Sequence, residues 1–261
     1  MLDFAQYLLG ALSGSLVGFS LGLFGGGGSI LAVPLMVYMV GVPVAHVAIG
    51  TSAMAVAANA AASLASHARR GNVIWRCSLM FSVAGVAGAT LGSTLGKALD
   101  GQKLLFLFAL VMIFVGIRML KSRGDEGVPG AQCNRGNAPK VLTAGGMTGL
   151  FSGFFGIGGG FLIVPGLIAS TGMPILNAIG SSLVAVTAFG LTTAANYAFS
   201  GLVDWILAAV FIAGGIVGSM LGSIAAHRLS TRKGALNTAF ALLVFAVAGY
   251  MLWKSGQTLI G

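Results

Sequence analysis

Acidic residues are almost absent from this sequence. Its 261 residues include 5 Asp and Glu against 14 Lys and Arg, and charged residues of all kinds make up only 7%. A soluble domain carries about 25% charged residues, so a water-facing surface cannot be built from this composition. With 57% hydrophobic residues and a mean hydropathy of +0.97, most of the chain is expected to lie in lipid. The composition excludes an ordinary soluble protein.

The few residues able to support catalysis or metal binding are scattered. The acids stand only at the ends of apolar segments or in connections: Asp3, Asp100, Asp125, Glu126 and Asp204. A buried acid that relays protons, usual in many pumps, is therefore missing. His46, His67 and His227 lie near loops and form no metal site with Cys77 and Cys133. These two cysteines are too few for a disulfide framework, and we expect free thiols. We predict no enzymatic activity, no catalytic residues, no cofactor and no metal.

The net charge of +9 would suggest a nucleic-acid partner in a soluble protein. Here the basic residues stand in short connections between apolar runs, without interleaved aromatic residues. We therefore expect them to set the orientation in the membrane, and we expect no nucleic acid. The N-terminus, Met1-Leu2-Asp3, has no basic region or small-residue cleavage site and is interpreted as an ordinary first span.

Ten apolar segments result when the chain is cut at charges and turn signals. Eight have about 17–25 residues, the length that a helix needs to cross the hydrocarbon. Ile30–Val40 and Phe161–Thr171 are shorter, and 11 residues at 1.5 Å each cover only about half of that distance. Whether these two cross fully or re-enter stays open. The sequence predicts an all-α polytopic membrane protein, whose longer segments are Phe4–Leu23, Val44–Ser66, Cys77–Gly96, Leu104–Leu120, Val141–Ile157, Ile175–Phe199, Trp205–Ala226 and Ala235–Trp253.

Glycine is unusually frequent, with 42 residues, and its positions repeat. GLFGGGG at 22–28 matches GFFGIGG at 153–159 with an offset of 131. GVAGATLGS at 85–93 matches GIVGSMLGS at 215–223 with an offset of 130. Ordered matches with one deletion across both halves indicate a duplication. The predicted parts are transmembrane repeat 1 (1–120), a cytoplasmic linker (121–140) and transmembrane repeat 2 (141–261).

Equivalent loops of the two repeats carry opposite charge biases. The loop at 69–76 carries three arginines, whereas the only charge in its counterpart is Asp204. The next loop shows the reverse, with a charge of +1 over 97–103 and of +3 over 228–233. Basic residues in short loops stay cytoplasmic, so we expect inverted repeats, most simply five segments plus five, each with a short broken helix after its glycine-rich motif. Both termini then lie outside.

A short segment follows each glycine cluster, and this pairing in inverted repeats is typical of the binding site of a secondary transporter. A half-helix that begins inside the protein offers free backbone N–H groups and the positive end of its dipole, which favour an anion. The alternative is that these glycines only permit close helix packing. The backbone positions predicted to bind substrate are Gly26, Gly27, Gly28, Ser29, Gly158, Gly159 and Gly160.

Two hydroxyl pairs, Thr51-Ser52 and Ser181-Ser182, open long helices after Gly-x-Pro turns. Polar residues continue on one helix face at steps of 7, 11 and 14 from Ser52 and of 11 and 14 from Ser182. In lipid such a stripe should face the bundle interior, to bind an oxyanion or merely to hydrogen-bond between helices. We expect the glycine junctions and hydroxyl pairs of both halves to meet near the midplane. The side chains predicted to bind substrate are Thr51, Ser52, Asn59, Ser181, Ser182 and Asn196.

The chain resembles the sulfite exporter TauE/SafE family, also called the 4-toluene sulfonate uptake permease (TSUP) family. In the first half the resemblance rests on GLFGGGGS at 22–29, Val33-Pro34 and AIGTS at 48–52. In the second half it rests on GFFGIGGG at 153–160, Val164-Pro165 and GSS at 180–182. Membership would imply a bacterial inner-membrane transporter of small sulfur-containing anions such as sulfite, sulfonates or sulfoacetate. Both termini would then be periplasmic.

Export of an anion needs no buried acid, because each negative charge that leaves a cell with a negative interior gains about 2.3 kcal/mol per 100 mV. We therefore expect a transporter that works most simply as an exporter. Its expected partners are a small sulfur-containing anion and the lipid bilayer, and a homodimer is left open. The alternatives are an anion channel that shares the site and a non-transporting membrane scaffold whose glycines serve packing alone.

Overall fold

The computed structural model describes residues 3–121, 128, 130–131, 133–134, 136–156, 160–229 and 235–260. Within them the chain is helical and forms no strand, which confirms the all-α prediction. A 3-10 helix (Gly25–Leu31) and a π-helix (Leu35–Met39) flank the short α2, and we call these three pieces together the broken helix. The α-helices are α1 (Phe4–Phe24), α2 (Ala32–Pro34), α3 (Ala45–Arg69), α4 (Trp75–Lys97), α5 (Gly101–Lys121), α6 (Ala138–Phe155), α7 (Gly160–Thr171), α8 (Ile175–Ala198), α9 (Trp205–Leu229) and α10 (Ala235–Ile260).

Five helical stretches among the described residues are long and apolar enough to cross a membrane. They are Phe4–Met39, which joins α1 to the broken helix, and the four helices α3, α4, α8 and α9. Shorter apolar helices, such as Gly101–Ile117 and Leu162–Thr171, accompany them. The chain is therefore a multi-pass membrane protein.

The broken helix runs back along the full length of α1. Near the turn, a Cβ on Gly28 would overlap the backbone of Ser20 and Leu21, so only glycine fits there. At the far end, Gln6 Nε2 donates to the Val40 carbonyl at 3.0 Å. A 3-10 helix rises about 2.0 Å per residue instead of 1.5 Å, which helps this short segment to match α1 in length. The first short segment therefore returns to the level at which α1 begins.

Two glycine seams hold the halves together. On the α1–α9 seam, a Cβ on Gly14, Gly18 or Gly22 would overlap backbone atoms of α9. On the α4–α6 seam, a Cβ on Gly145, Gly149 or Gly153 would overlap backbone atoms of α4. In each seam the residue numbers increase in the same direction along both helices. The two helices of each seam therefore run parallel. The facing residues are Phe211, Gly215 and Ser219 on α9, and Phe81, Gly85 and Ala89 on α4.

The central helices α3 and α8 run antiparallel. Gly50, near the start of α3, lies against Tyr197 at the end of α8. Gly180, near the start of α8, lies against Asn72, which follows the end of α3. The middle of α8 packs on the middle of α3 through Gly190 and Ala57. Each of these helices therefore begins where the other ends.

The charged residues that the structure describes divide between the two ends of the bundle. We call the end where α3 passes into α4 the basic end, and the opposite end the mixed end. The basic end carries Arg69, Arg70, Arg76, Lys140 and Arg228. The mixed end carries Asp3, Lys97, Asp100, Lys103, Asp204 and Lys254. This division puts Arg228 on the same side as Arg69, Arg70 and Arg76. The assignment of that side to the cytoplasm stays a prediction.

The two cysteines form a disulfide, so the expectation of free thiols is wrong. Cys77, in the first turn of α4, is bonded to Cys133 between α5 and α6, with a Cα–Cα distance of 5.3 Å. Both side chains are buried. The same connection is attached to the turn after α7, because Val128 N donates to the Gly172 carbonyl at 2.7 Å. The number of cysteines could not reveal this pair, since their approach depends on how the connection packs against α4.

Candidate functional site

The first glycine cluster ends α1 and meets α8 from the other half of the chain. Gly25 has φ +61°, a conformation that glycine adopts without strain. Gly26 N donates to Ser182 Oγ at 2.9 Å, and Ser182 Oγ donates to the Ile179 carbonyl at 2.7 Å. Ser29 Oγ donates to the Gly26 carbonyl at 2.9 Å. Ser182 therefore caps the 3-10 helix, and all of these groups are buried.

Gly27 and Gly28 are buried beside this contact. In the second cluster Gly158 and Gly159 lie outside the described residues, and Gly160 begins α7. Gly156, which matches Gly25, has φ +66° and lies against Ile49 of α3. Ser52 Oγ donates to the Ile49 carbonyl at 2.9 Å, as Ser182 does to Ile179. The described parts of the two clusters therefore meet the two central helices in the same way.

Thr51 and Ser181 each bind the backbone that leads into a helix of the other half. Thr51 Oγ1 accepts a hydrogen bond from Asp204 N at 2.9 Å, just before α9. Ser181 Oγ accepts one from Ile74 N at 2.9 Å, just before α4. Both hydroxyl side chains are fully buried. Within the described residues neither hydroxyl donates to an acceptor, so each retains an O–H for a further hydrogen bond.

The structure does not bring the two hydroxyl pairs to one point. Ser181 lies near the basic end of α8, whereas Thr51 lies beside the other end of α8, because its neighbour Gly50 contacts Tyr197. The distance along α8 from Ser181 to Tyr197 is roughly 24 Å. The glycine junctions and hydroxyl pairs were expected to lie together near the midplane. Instead they form two separate groups, one near each end of α8. We call Gly26, Ser181 and Ser182 the basic-end group, and Thr51, Ser52 and Gly156 the mixed-end group. Substrate binding by these residues stays a prediction.

The predicted polar stripes face the glycine seams. On α3, the Asn59 amide lies against Gly215, and Ser66 Oγ is 2.8 Å from Ser223 Oγ. On α8, Asn196 Nδ2 donates to Ser93 Oγ and, at 3.0 Å, to Thr94 Oγ1. The stripe of α3 thus points at α9 and that of α8 at α4. Asn59 and Asn196 are not near each other, because each is directed at a different seam.

Lys97, at the end of α4, is a further candidate that no sequence pattern indicates. Its Nζ donates to Asn196 Oδ1 at 2.7 Å and to Ser200 Oγ at 2.9 Å. It also lies 5.9 Å from the centre of the Tyr197 ring, within the range of a cation–π contact. Lys97 was counted only as a loop charge, and its spacing gives no sign of these partners. At the basic end, Arg70 Nη1 donates to the Ser223 carbonyl at 3.2 Å. A cation therefore stands at the outer end of each stripe.

Several buried polar atoms lack a hydrogen-bond partner in the part of the chain that the structure describes. The Asn59 amide is unpaired at both Nδ2 and Oδ1. Buried polar groups in native proteins are nearly always paired, with protein or with water, so each unpaired group needs an explanation. The others with an unpaired hydroxyl are Ser20, Ser63, Ser82, Ser152, Thr193 and Tyr197.

Proteins related to this multi-pass helical chain are described as membrane transporters. A "Probable membrane transporter protein" of Xylella fastidiosa (strain 9a5c) is 53% identical over 256 residues, which is 95% of each chain. One of Haemophilus influenzae is 29% identical over 96% of this chain and 100% of its own. The family described as "Sulfite exporter TauE/SafE" matches residues 10–251, and the chain belongs to this family. No solved structure matches the chain.

Proposed function

We propose that this protein carries small sulfur-containing anions, such as sulfite, sulfonates or sulfoacetate, across the bacterial inner membrane, and that it is not an enzyme. One observation carries the proposal. Among the described residues, the membrane-spanning helices hold buried hydroxyls, amides and backbone N–H groups, while the carboxylates of Asp3, Asp100 and Asp204 stand at or beyond helix ends. Such an interior can donate hydrogen bonds to an anion without repelling it. The family description supports sulfite-like anions as the class.

We also propose that the two halves are inverted copies. Equivalent hydrogen bonds related by an offset of 130 support this arrangement. Thr51 Oγ1 accepts a hydrogen bond from Asp204 N, and the equivalent Ser181 Oγ accepts one from Ile74 N, the equivalent of Asp204. Inversion requires the equivalent helices α3 and α8 to run in opposite directions, and the contacts of Gly50 and Gly180 agree with this requirement. With the basic end in the cytoplasm, both termini lie in the periplasm. The Cys77–Cys133 disulfide then lies near the cytoplasmic end, where the burial of both cysteines protects it from reductants.

In this proposal the anion passes between the basic-end group and the mixed-end group. Ser181 and Thr51 each offer an O–H, and Gly26 offers its N–H in competition with the capping Ser182 hydroxyl. Because no spanning acid is available in the described helices to neutralise the anion, the membrane potential drives outward movement by about 2.3 kcal/mol per charge per 100 mV.

A binding screen tests the proposal. Purified protein would be titrated with sulfite, methanesulfonate, thiosulfate and sulfoacetate, with chloride and phosphate as inorganic controls, and binding would be measured by calorimetry. Saturable binding of at least one sulfur anion, together with saturable flux in proteoliposomes, supports a carrier. Unitary currents would instead support a channel. Absence of both binding and flux in folded protein would leave only a scaffold.

A further inference from the structure

The most unusual polar group in this bundle is the amide of Asn59. Its side chain is fully buried in the middle of α3, and neither Nδ2 nor Oδ1 has a partner among the described residues. Ser63 lies one helical turn farther on the same face, and its hydroxyl is also buried and unpaired. A helix surrounded only by lipid and apolar neighbours would not need these unpaired polar groups: the Asn59 N–H donors, the Oδ1 acceptor and the Ser63 hydroxyl.

The amide points at a place where the helices approach without side chains. A Cβ added to Gly215 of α9 would overlap Asn59 Nδ2, so the amide occupies the space that this glycine leaves free. Gly215 in turn faces Gly18 of α1. The unpaired amide therefore lies at the junction of α1, α3 and α9, near the middle of the membrane-spanning part of α3.

In the second half of the chain, an aromatic ring fills the position equivalent to that of the Asn59 amide. The residue at an offset of 130 from Asn59 is Phe189, and the counterpart of Gly215 is Gly85. A Cβ on Gly85 would overlap the Phe189 ring, which also stacks on Phe81 with a centroid distance of 6.3 Å. Thr193, the counterpart of Ser63, remains buried and unpaired. The two halves thus share a buried hydroxyl but differ at the centre, where one has an amide and the other a phenyl ring.

From this asymmetry we infer that the chain has a single central anion site, formed by the Asn59 amide and the Ser63 hydroxyl at the α1–α3–α9 junction. The inference rests on the proposed function and deepens it. The amide supplies two N–H donors and the hydroxyl one, which suits the oxygens of a sulfonate or hydrogen sulfite head. Neither Asn59 nor Ser63 carries a positive charge, so this site selects a singly charged anion over a doubly charged one, whose burial without a counter-charge is far costlier.

The test compares variants of the two halves. Methanesulfonate, which carries one charge, and sulfate, which carries two, would be titrated calorimetrically into purified protein. We expect about one methanesulfonate bound per chain and much weaker binding of sulfate. Asn59→Leu and Ser63→Ala should each weaken methanesulfonate binding about 10- to 150-fold, the effect of losing a hydrogen bond to a charged partner. The matched control Thr193→Val removes the equivalent hydroxyl of the other half and should leave the affinity unchanged.

The variants also separate binding from folding. Ser63→Ala deletes one oxygen and tests the site even if Asn59→Leu expresses poorly. Unchanged affinity in Asn59→Leu or Ser63→Ala at a normal melting temperature, or an equal loss of affinity in Thr193→Val, would overturn the inference while leaving the proposed function intact. If the wild-type protein binds sulfate as tightly as methanesulfonate, the charge selection is wrong. If it binds no sulfur anion, the proposed function fails together with this site.

Discussion

The two inter-half hydroxyls, Thr51 and Ser181, should act on opposite faces of the membrane. Ser181→Ala and Thr51→Val each remove a hydroxyl while keeping most of the side-chain volume. Each hydroxyl accepts a backbone N–H from the other half at 2.9 Å and retains its own O–H for an anion. The two hydroxyls lie at opposite ends of the α3–α8 pair. Their separation is roughly 24 Å, the length of α8 between Ser181 and the level of Thr51.

Loss of one hydrogen bond to an anion corresponds to about 1.5–3 kcal/mol, or about 10- to 150-fold in affinity. With the basic end in the cytoplasm, Ser181→Ala should raise the KM for substrate presented from the cytoplasmic face. Thr51→Val should raise the KM for substrate presented from the periplasmic face. The assay is initial-rate flux of sulfite in inside-out and right-side-out vesicles, with protein amounts matched by immunoblot.

Each substitution should also destabilise the fold by about 1 kcal/mol, because it removes the acceptor of a partly buried backbone N–H. The two losses should add in the double variant, since the sites are far apart and share no partner. Thermal unfolding of the two single variants and the double variant in detergent measures these losses of stability and whether they add. If both substitutions change the KM at the same face, or neither changes it at either face, the division into two end groups is wrong.

Gly18→Ala places a methyl group onto the Gly215 backbone and should destabilise the bundle by about 1–3 kcal/mol or more. Gly249→Ala is the control and should not destabilise it, because the space around Gly249 is open. Equal melting temperatures of the two variants would contradict the close packing of α1 on α9. Peptide mass mapping without reductant should recover Cys77 joined to Cys133, and recovery of two free thiols would contradict the disulfide. Single cysteines at Asp100 and Ser230 in a Cys77/Cys133-free background should react with an impermeant thiol reagent from opposite faces, and labelling from one face would contradict the inverted arrangement.

The sequence was sufficient to predict the helical class and the family, because hydropathy and glycine motifs are local signals. It also located the short segments well: the prediction Phe161–Thr171 differs from α7 (Gly160–Thr171) by a single residue. The length of Ile30–Val40 left its course open, because a 3-10 stretch changes the rise per residue and periodicity cannot show this. The broken helix begins at Gly25, inside the glycine cluster, and so runs farther than its apolar residues indicate.

The arrangement of the candidate site was harder to predict, since it depends on contacts between distant parts of the chain. The hydroxyl pairs were found from their spacing, but their separation follows from the antiparallel course of α3 and α8. Capping of Gly26 by Ser182 joins residues 156 positions apart, and the Cys77–Cys133 bond joins residues 56 positions apart. Lys97 was missed because its partners, Asn196 and Ser200, come from the other half. No local pattern contains such pairings.

Voltage-driven flux tests the central claim most directly. Purified protein would be reconstituted in proteoliposomes loaded with methanesulfonate, and a potassium diffusion potential would be imposed with valinomycin at equal pH on both sides. The account predicts saturable efflux that accelerates when the interior is made negative, because a singly charged anion moves through a bundle whose described spans contain no acid to neutralise it. A flux that is independent of the voltage and depends only on a pH gradient would contradict this account.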